Sequence, residues 1–126
     1  MVFLIEETSI KAFVENVDQR FKAKEYVVSD KDGKEIAEEE YEKALITTGS
    51  TIKIDGVTYK VAVLGDLNED GHLNVIDLAK MRFYLIGKTN LTKIEEKAAD
   101  LNDDKNVSGI DLTRIRFIIV GMLKLD

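Results

Sequence analysis

Apolar residues recur along this chain with two different periods, and the change of period falls near its midpoint. Val2 to Ile5 is a short apolar run that reads as a strand. Thr8 or Ser9 then stands where a helix cap belongs, before Ile10, Phe13, Val14 and Val17 at spacing i, i+3, i+4, i+7. Tyr26 to Ser29 reads as a second strand, Lys31-Asp32-Gly33 as a turn, and Glu38 to Glu42 as a solvated acidic stretch. From Thr51 to Leu64 apolar and polar residues alternate about an Asp55-Gly56 pair. That pair is a hairpin turn, which sets Ile54 opposite Val57 and Ile52 opposite Tyr59. Beyond it the period becomes helical. Leu78, Met81 and Leu85 form one stripe ending at Gly87, Leu112, Ile115 and Ile119 form another ending at Gly121, and a short helix is expected over Asn90 to Ala99. The expected architecture is α+β: a small helix-plus-antiparallel-sheet module over residues 1–64, then an all-α pair of loop-helix repeats over 65–126.

The two stripes do not use up the apolar residues of these helices. Phe83, Tyr84 and Ile86 in one, and Phe117, Ile118 and Val120 in the other, fall on other sides. Two short helices can cover one face of each, so the surplus must meet either the first module or a partner.

The second half is an internal repeat. An offset of 34 residues aligns residues 66–87 with 100–121, and ten of the 22 aligned positions are identical. In each copy, oxygen-bearing residues occupy positions 1, 3, 5, 9 and 12 of a twelve-residue loop. The first loop, 66–77, offers Asp66, Asn68, Asp70, Asn74 and Asp77, with the main-chain carbonyl of His72 at position 7. The second, 100–111, offers Asp100, Asn102, Asp104, Ser108 and Asp111, with the carbonyl of Asn106. Alternate residues of a tight loop can all point inward at a hard cation that takes six to eight oxygens, which is calcium-loop spacing. Two calcium ions are therefore expected as cofactors. The second site is expected to be the weaker, because Lys105 stands where the first loop has Gly71 and Ser108 reaches a cation only through water. Six loop carboxylates against two calcium ions leave −6 + 4 = −2, so metal removes most of the local repulsion.

Composition narrows the remaining chemistry. A net charge of −6 with no basic stripe argues against nucleic acid, and no apolar run approaches a spanning segment, so no membrane insertion is expected. With no cysteine and His72 the single histidine, zinc and thiolate chemistry lack ligands. No nucleophile-base pair and no phosphate loop appears, so no catalytic residues are assigned and no enzyme is expected. The start, MVFLIEE, lacks the pattern of a signal peptide, as it would in a piece cut from a longer exported protein.

The loops differ from ordinary EF-hands. Gly65 precedes Asp66, and the alternating Val57, Tyr59, Val61 and Val63 before it read as a strand, so the first entering helix is missing. Asp rather than Glu stands at position 12, and each loop runs straight into an apolar helix. In these features residues 64–126 resemble a dockerin, the duplicated calcium-loop and helix module by which secreted bacterial enzymes and surface proteins attach to cohesins. The resemblance implies antiparallel helices with pseudo-twofold symmetry. It places partner contacts at Val75, Ile76, Arg82, Phe83 and Gly87 in one copy and at Gly109, Ile110, Arg116, Phe117 and Gly121 in the other. The near-twofold duplication would let a partner dock in two orientations related by a half turn, and Val75 against Gly109 breaks the symmetry, so one orientation is expected to dominate. It likens residues 1–64 to the small companion module, X-module-like, found beside dockerins. The function implied is a non-catalytic, calcium-dependent attachment module, a monomeric fragment of a larger protein. It would bind a cohesin-like partner in a cellulosome-like, polysaccharide-degrading or cell-surface complex outside the cell. The alternative is a calcium-stapled structural module that packs on its neighbour or self-associates.

Overall fold

The Asp55-Gly56 turn has positive φ at both residues, +45° and +92°, the geometry that a two-residue hairpin needs. It joins β3 (Thr51–Ile54) to β4 (Val57–Val63) with Ile54 opposite Val57 and Ile52 opposite Tyr59, the register expected from the turn. In this computed structural model, which describes residues 2–124, β2 (Tyr26–Ser29) adds antiparallel to β3, and β1 (Val2–Ile5) adds on the far side of β4. The β1–β4 pairing is parallel, with Phe3 beside Val61 and Ile5 beside Val63, so the sheet is mixed and not antiparallel as expected. The physical reason is the helix Ile10–Phe21 between β1 and β2, which returns the chain so that β2 runs the same way as β1. The antiparallel β2–β3 and β3–β4 pairings then give that same direction to β4. Its first four residues pair with β3 along one edge, while its last four, from Lys60 on, offer the other edge to β1.

Helix α1 (Ile10–Phe21) carries the chain from β1 at one edge of the sheet to β2 at the other. The Ser9 hydroxyl accepts from the Ala12 N–H at 3.1 Å and caps its start. Ile10, Phe13 and Val17 are buried against Phe3, Val28, Ile52, Val61 and Val63, with the Phe3 and Phe13 rings edge to face at 5.8 Å. The expected turn after β2 is present, its Asp30 carboxylate accepting from the N–H groups of Asp32 and Lys34, and Glu38–Glu40 is an exposed 3₁₀ turn.

Alternation along β4 divides the core. Val61 and Val63 face α1, whereas Ala62 faces away and joins a second cluster with Leu67, Leu73, Met81, Leu91, Ala98, Ala99 and Ile115. This second cluster is built by α2 (Val75–Leu85), α3 (Lys93–Ala99) and α4 (Gly109–Lys124). Thr92 caps α3 and Glu95 returns a bond to the Thr92 N–H, a reciprocal cap. Leu78, Leu85, Leu112 and Ile119 line the α2–α4 seam as their spacing requires.

One open alternative closes and one expectation changes. Tyr84 packs into the second cluster, but Phe83, Ile86, Phe117, Ile118 and Val120 remain exposed, so the apolar surplus is not absorbed by residues 1–64. Helix α2 stops at Gly87, whose φ of +79° lets the Lys88 N–H reach back to the Phe83 carbonyl. Gly121 stops nothing, because α4 runs on to Lys124 through Met122 and Leu123, both strong helix formers, whereas Gly87 is followed by Lys-Thr-Asn.

The two glycines therefore predict opposite effects of one substitution. Gly87→Ala forces a left-handed alanine and is expected to cost about 1 kcal/mol, while Gly121→Ala, with open space at its Cβ, is expected to stabilise by about 0.5 to 1 kcal/mol. Urea denaturation of both variants in calcium measures the difference in sign.

Candidate metal centre

The two loops repeat one hydrogen-bond pattern almost bond for bond. At position 1, Asp66 accepts from the N–H groups of Asp70 and Gly71, and Asp100 from those of Asp104 and Lys105. At position 5, Asp70 accepts from the His72 N–H and the Asn68 amide, and Asp104 from the Asn106 N–H and the Asn102 amide. At position 12, Asp77 takes the Leu67 N–H at 2.9 Å on one oxygen and the Asn74 N–H at 3.0 Å on the other; Asp111 does the same with Leu101 and Ser108. The last carboxylate of each loop thus ties the loop's beginning to the start of the following helix. Glu69 and Asp103 at position 4, and Gly71 and Lys105 at position 6, all have positive φ, so Lys105 adopts the left-handed backbone expected of it, at +68°.

These bonds bring three carboxylates together in each copy. Oxygens of Asp66, Asp70 and Asp77 lie within 4.8 Å of one another, as do those of Asp100, Asp104 and Asp111. Asp66, Asp77 and Asp111 are fully buried. Burial pushes the Asp77 carboxyl up to about 6 despite three backbone N–H donors, with the Asp66 charge adding to the rise, and burial likewise raises Asp66. Asn68 Oδ1 is shielded from solvent and has no hydrogen-bond partner. An orphaned acceptor beside three convergent carboxylates is an all-oxygen donor set, and it suits a hard divalent cation. The oxygens at position 9 are otherwise engaged: Asn74 Oδ1 accepts from the Ile76 N–H and Ser108 Oγ from the Ile110 N–H, capping the two helices. His72 is exposed, its ring 4.0 Å from the Glu7 carboxylate, and Asn106 is exposed.

Residues outside the loop hold the first copy, and the repeat did not reveal them. The Thr48 N–H donates to Asp66 Oδ2 at 3.0 Å, Glu7 Oε1 accepts from the Leu73 N–H at 2.7 Å, and Lys80 Nζ donates to the Leu67 carbonyl at 2.8 Å. Lys80 also pairs with the buried Glu95 at 3.3 Å. No local spacing signals a bond between residues 66 positions apart, as Glu7 and Leu73 are.

The positions that the resemblance assigned to a partner lie on the outer sides of the helices. Val75, Ile76, Arg82, Phe83, Gly87, Gly109, Ile110, Arg116 and Phe117 are exposed, and Gly121 is half-buried. Phe83 is 52% and Phe117 71% exposed, high values for large aromatics.

Residues 64–118 match the family model described as Dockerin type I domain. No curated protein and no solved structure matches the chain. The match begins two residues before Asp66 and spans both loops and most of α4, the segment whose repeated cages and exposed helix faces are described above. Dockerins are non-catalytic modules that bind calcium and cohesin partners and occur in secreted or cell-surface proteins. The carboxyl-terminal half of this chain therefore carries a dockerin domain.

Proposed function

We infer that the whole chain is a non-catalytic attachment module in which two calcium ions shape a docking surface for a cohesin-like partner. Asp66, Asn68, Asp70, the His72 carbonyl, Asn74 and Asp77 would hold one ion. Asp100, Asn102, Asp104, the Asn106 carbonyl, Ser108 and Asp111 would hold the other, with Asn74 and Ser108 contributing through water because their oxygens cap helices. Calcium supplies charge neutralisation and a fixed loop shape; the chain itself supplies the contact surface.

The observation that carries this reading is the side-by-side arrangement of cages and uncovered apolar residues. Val75 and Ile76 are exposed at loop positions 10 and 11, and Phe83 is exposed two turns along the same helix; Ile110 and Phe117 repeat the arrangement. Since these residues stay uncovered by residues 1–64, a partner surface fits better than a purely structural staple. In this reading residues 1–64 form the companion module and 65–126 the docking module, together belonging to a larger exported protein within a multi-enzyme or cell-surface complex. No helix among the described residues is long and apolar enough to cross a membrane, so attachment through a protein partner suits the chain.

Phe83→Ala and Phe117→Ala should each weaken binding to a cohesin panel by about 1 to 3 kcal/mol while leaving the calcium-loaded melting temperature unchanged, because both rings are exposed. Calorimetric titration measures it. Wild-type affinity in the Phe83→Ala/Phe117→Ala double variant would remove the docking surface from the reading.

Calcium itself should stabilise the fold by roughly 4 kcal/mol per site at a thousandfold excess over its dissociation constant, seen as a large rise in melting temperature over calcium-free protein. The pH dependence has a definite sign. In calcium-free protein the folded Asp77 carboxyl titrates near 6, above its unfolded value, so the folded state binds more protons and its stability falls as pH rises from about 4 through 6. Asp66 and Glu69, both raised chiefly by burial, add to this; Glu95, lowered on balance by the Thr92 N–H, Glu69 and Lys80 against its burial, opposes it. With calcium bound the ion displaces the proton, and the dependence reverses. Melting curves at pH 5 and 7.5, in resin-treated and calcium-saturated buffer, test both signs.

A further inference from the structure

The two copies share their internal bonds but not their surroundings. The first loop is gripped from outside by residues far away in sequence. Thr48 donates its N–H to Asp66, and the Thr48 hydroxyl is itself fixed to the end of β4, accepting from the Val63 N–H at 2.9 Å. Glu7 accepts from the Leu73 N–H at loop position 8. Gly71 lies so close to the 45–48 segment that a Cβ there would come within 2.8 Å of Leu45 Cβ and 2.9 Å of the Ile46 carbonyl. The second loop is held from within. Asp100 accepts from the N–H groups of its own loop, and Lys105, at the position of Gly71, has a side chain 80% exposed that pairs, among the described residues, with Asp103 of the same loop.

We propose that the sheet unit shapes the first calcium loop through Glu7 and the 45–48 segment, so that this loop fills first and tightly while the second must be ordered by its own ion. The proposal rests on the calcium reading above and adds positioning residues to it. Two effects carry it. A loop already held in its binding shape loses little conformational freedom when the ion arrives, whereas an unsupported loop loses that freedom at the binding step. The Thr48 N–H also gives Asp66 a donor from outside its loop, whereas the hydrogen bonds that Asp100 accepts among the described residues come from its own loop. Partners outside the ligand shell that fix a ligand's orientation typically change metal affinity by about 10 to 100-fold. At intermediate calcium the chain would thus have a set loop at the start of α2 and an unset one at the start of α4.

The test is a calcium titration of the full chain followed by amide NMR, reading the first loop at Gly71 and the second at Lys105. In the parent, the Gly71 midpoint is expected at lower calcium than the Lys105 midpoint; equal or inverted midpoints overturn the proposal without any variant. Glu7→Ala is expected to weaken the Gly71 midpoint about tenfold and leave the Lys105 midpoint in place. Glu7→Gln keeps an oxygen acceptor for the Leu73 N–H and is expected to restore the parent value, together with slow exchange of the Leu73 amide. A glutamine variant as weak as the alanine variant would assign the effect to charge alone and remove the positioning role. Equal shifts at both loops would do so too. A parent in which neither amide responds to calcium would sink the calcium reading as well, a result distinct from all of these.

Discussion

Three carboxylates inside a twelve-residue loop are the constraint on which the second half of the chain depends. Like charges whose oxygens come within 4.8 Å repel strongly once water is excluded, and in the first loop two of the three are fully buried. Backbone N–H groups offset part of that repulsion, yet Asp77 still titrates near 6. A divalent cation held among them would offset the rest. The same carboxylate at position 12 holds the first residues of the loop and the N–H of the residue at the helix start, so one side chain joins the loop to the helix that follows it. The helices therefore inherit their directions from the loops. This local dependence explains how two copies suffice where a helical solenoid would need more.

Strand β4 joins this device to the rest of the chain. Successive residues of one strand, Val61, Ala62 and Val63, enter cores on opposite faces of the sheet, and only Leu64 and Gly65 separate the strand from Asp66. The Gly65 N–H donates to the Ala98 carbonyl and fastens the start of the loop to α3 as the strand ends. Lys80 extends the connection from α2 to the Leu67 carbonyl and to Glu95 on α3. Glu95 is buried but has its charge compensated by Lys80 and its oxygen occupied by the Thr92 N–H, which makes a carboxylate tolerable there.

What could be read in advance was whatever depends on near neighbours. The Asp55-Gly56 turn determines the register of β3 and β4 because the turn geometry leaves no other pairing. The α1 stripe and the loop spacing are legible for the same reason, since period and cap act over a few residues. The parallel partner of β1 was not, because a four-residue apolar run carries no mark of its direction or neighbour. Nor were Glu7 and Thr48, whose roles exist only once the sheet brings residues 7, 48 and 66–73 together. The end of α4 differs from its expected place for a simpler reason. A glycine stops a helix when it turns left-handed, as Gly87 does, and its residue type alone does not say that it will.

The exposed apolar residues are arranged, not scattered. With about 100° of rotation per residue, Leu78, Met81 and Leu85 occupy one side of α2 within about 60°, and Ile76 and Phe83 fall roughly opposite them. The same arithmetic puts Leu112, Ile115 and Ile119 on one side of α4 and Ile110 and Phe117 on the other. Each helix therefore has two apolar faces, and the α2–α4 seam together with α3 and the sheet covers only one. Were the outer face an accident of composition, it would not recur at the same loop and helix positions in both copies. A surface that a small acidic chain leaves apolar twice, each time beside a cage that fixes its orientation, is better suited to meeting another protein than to meeting water.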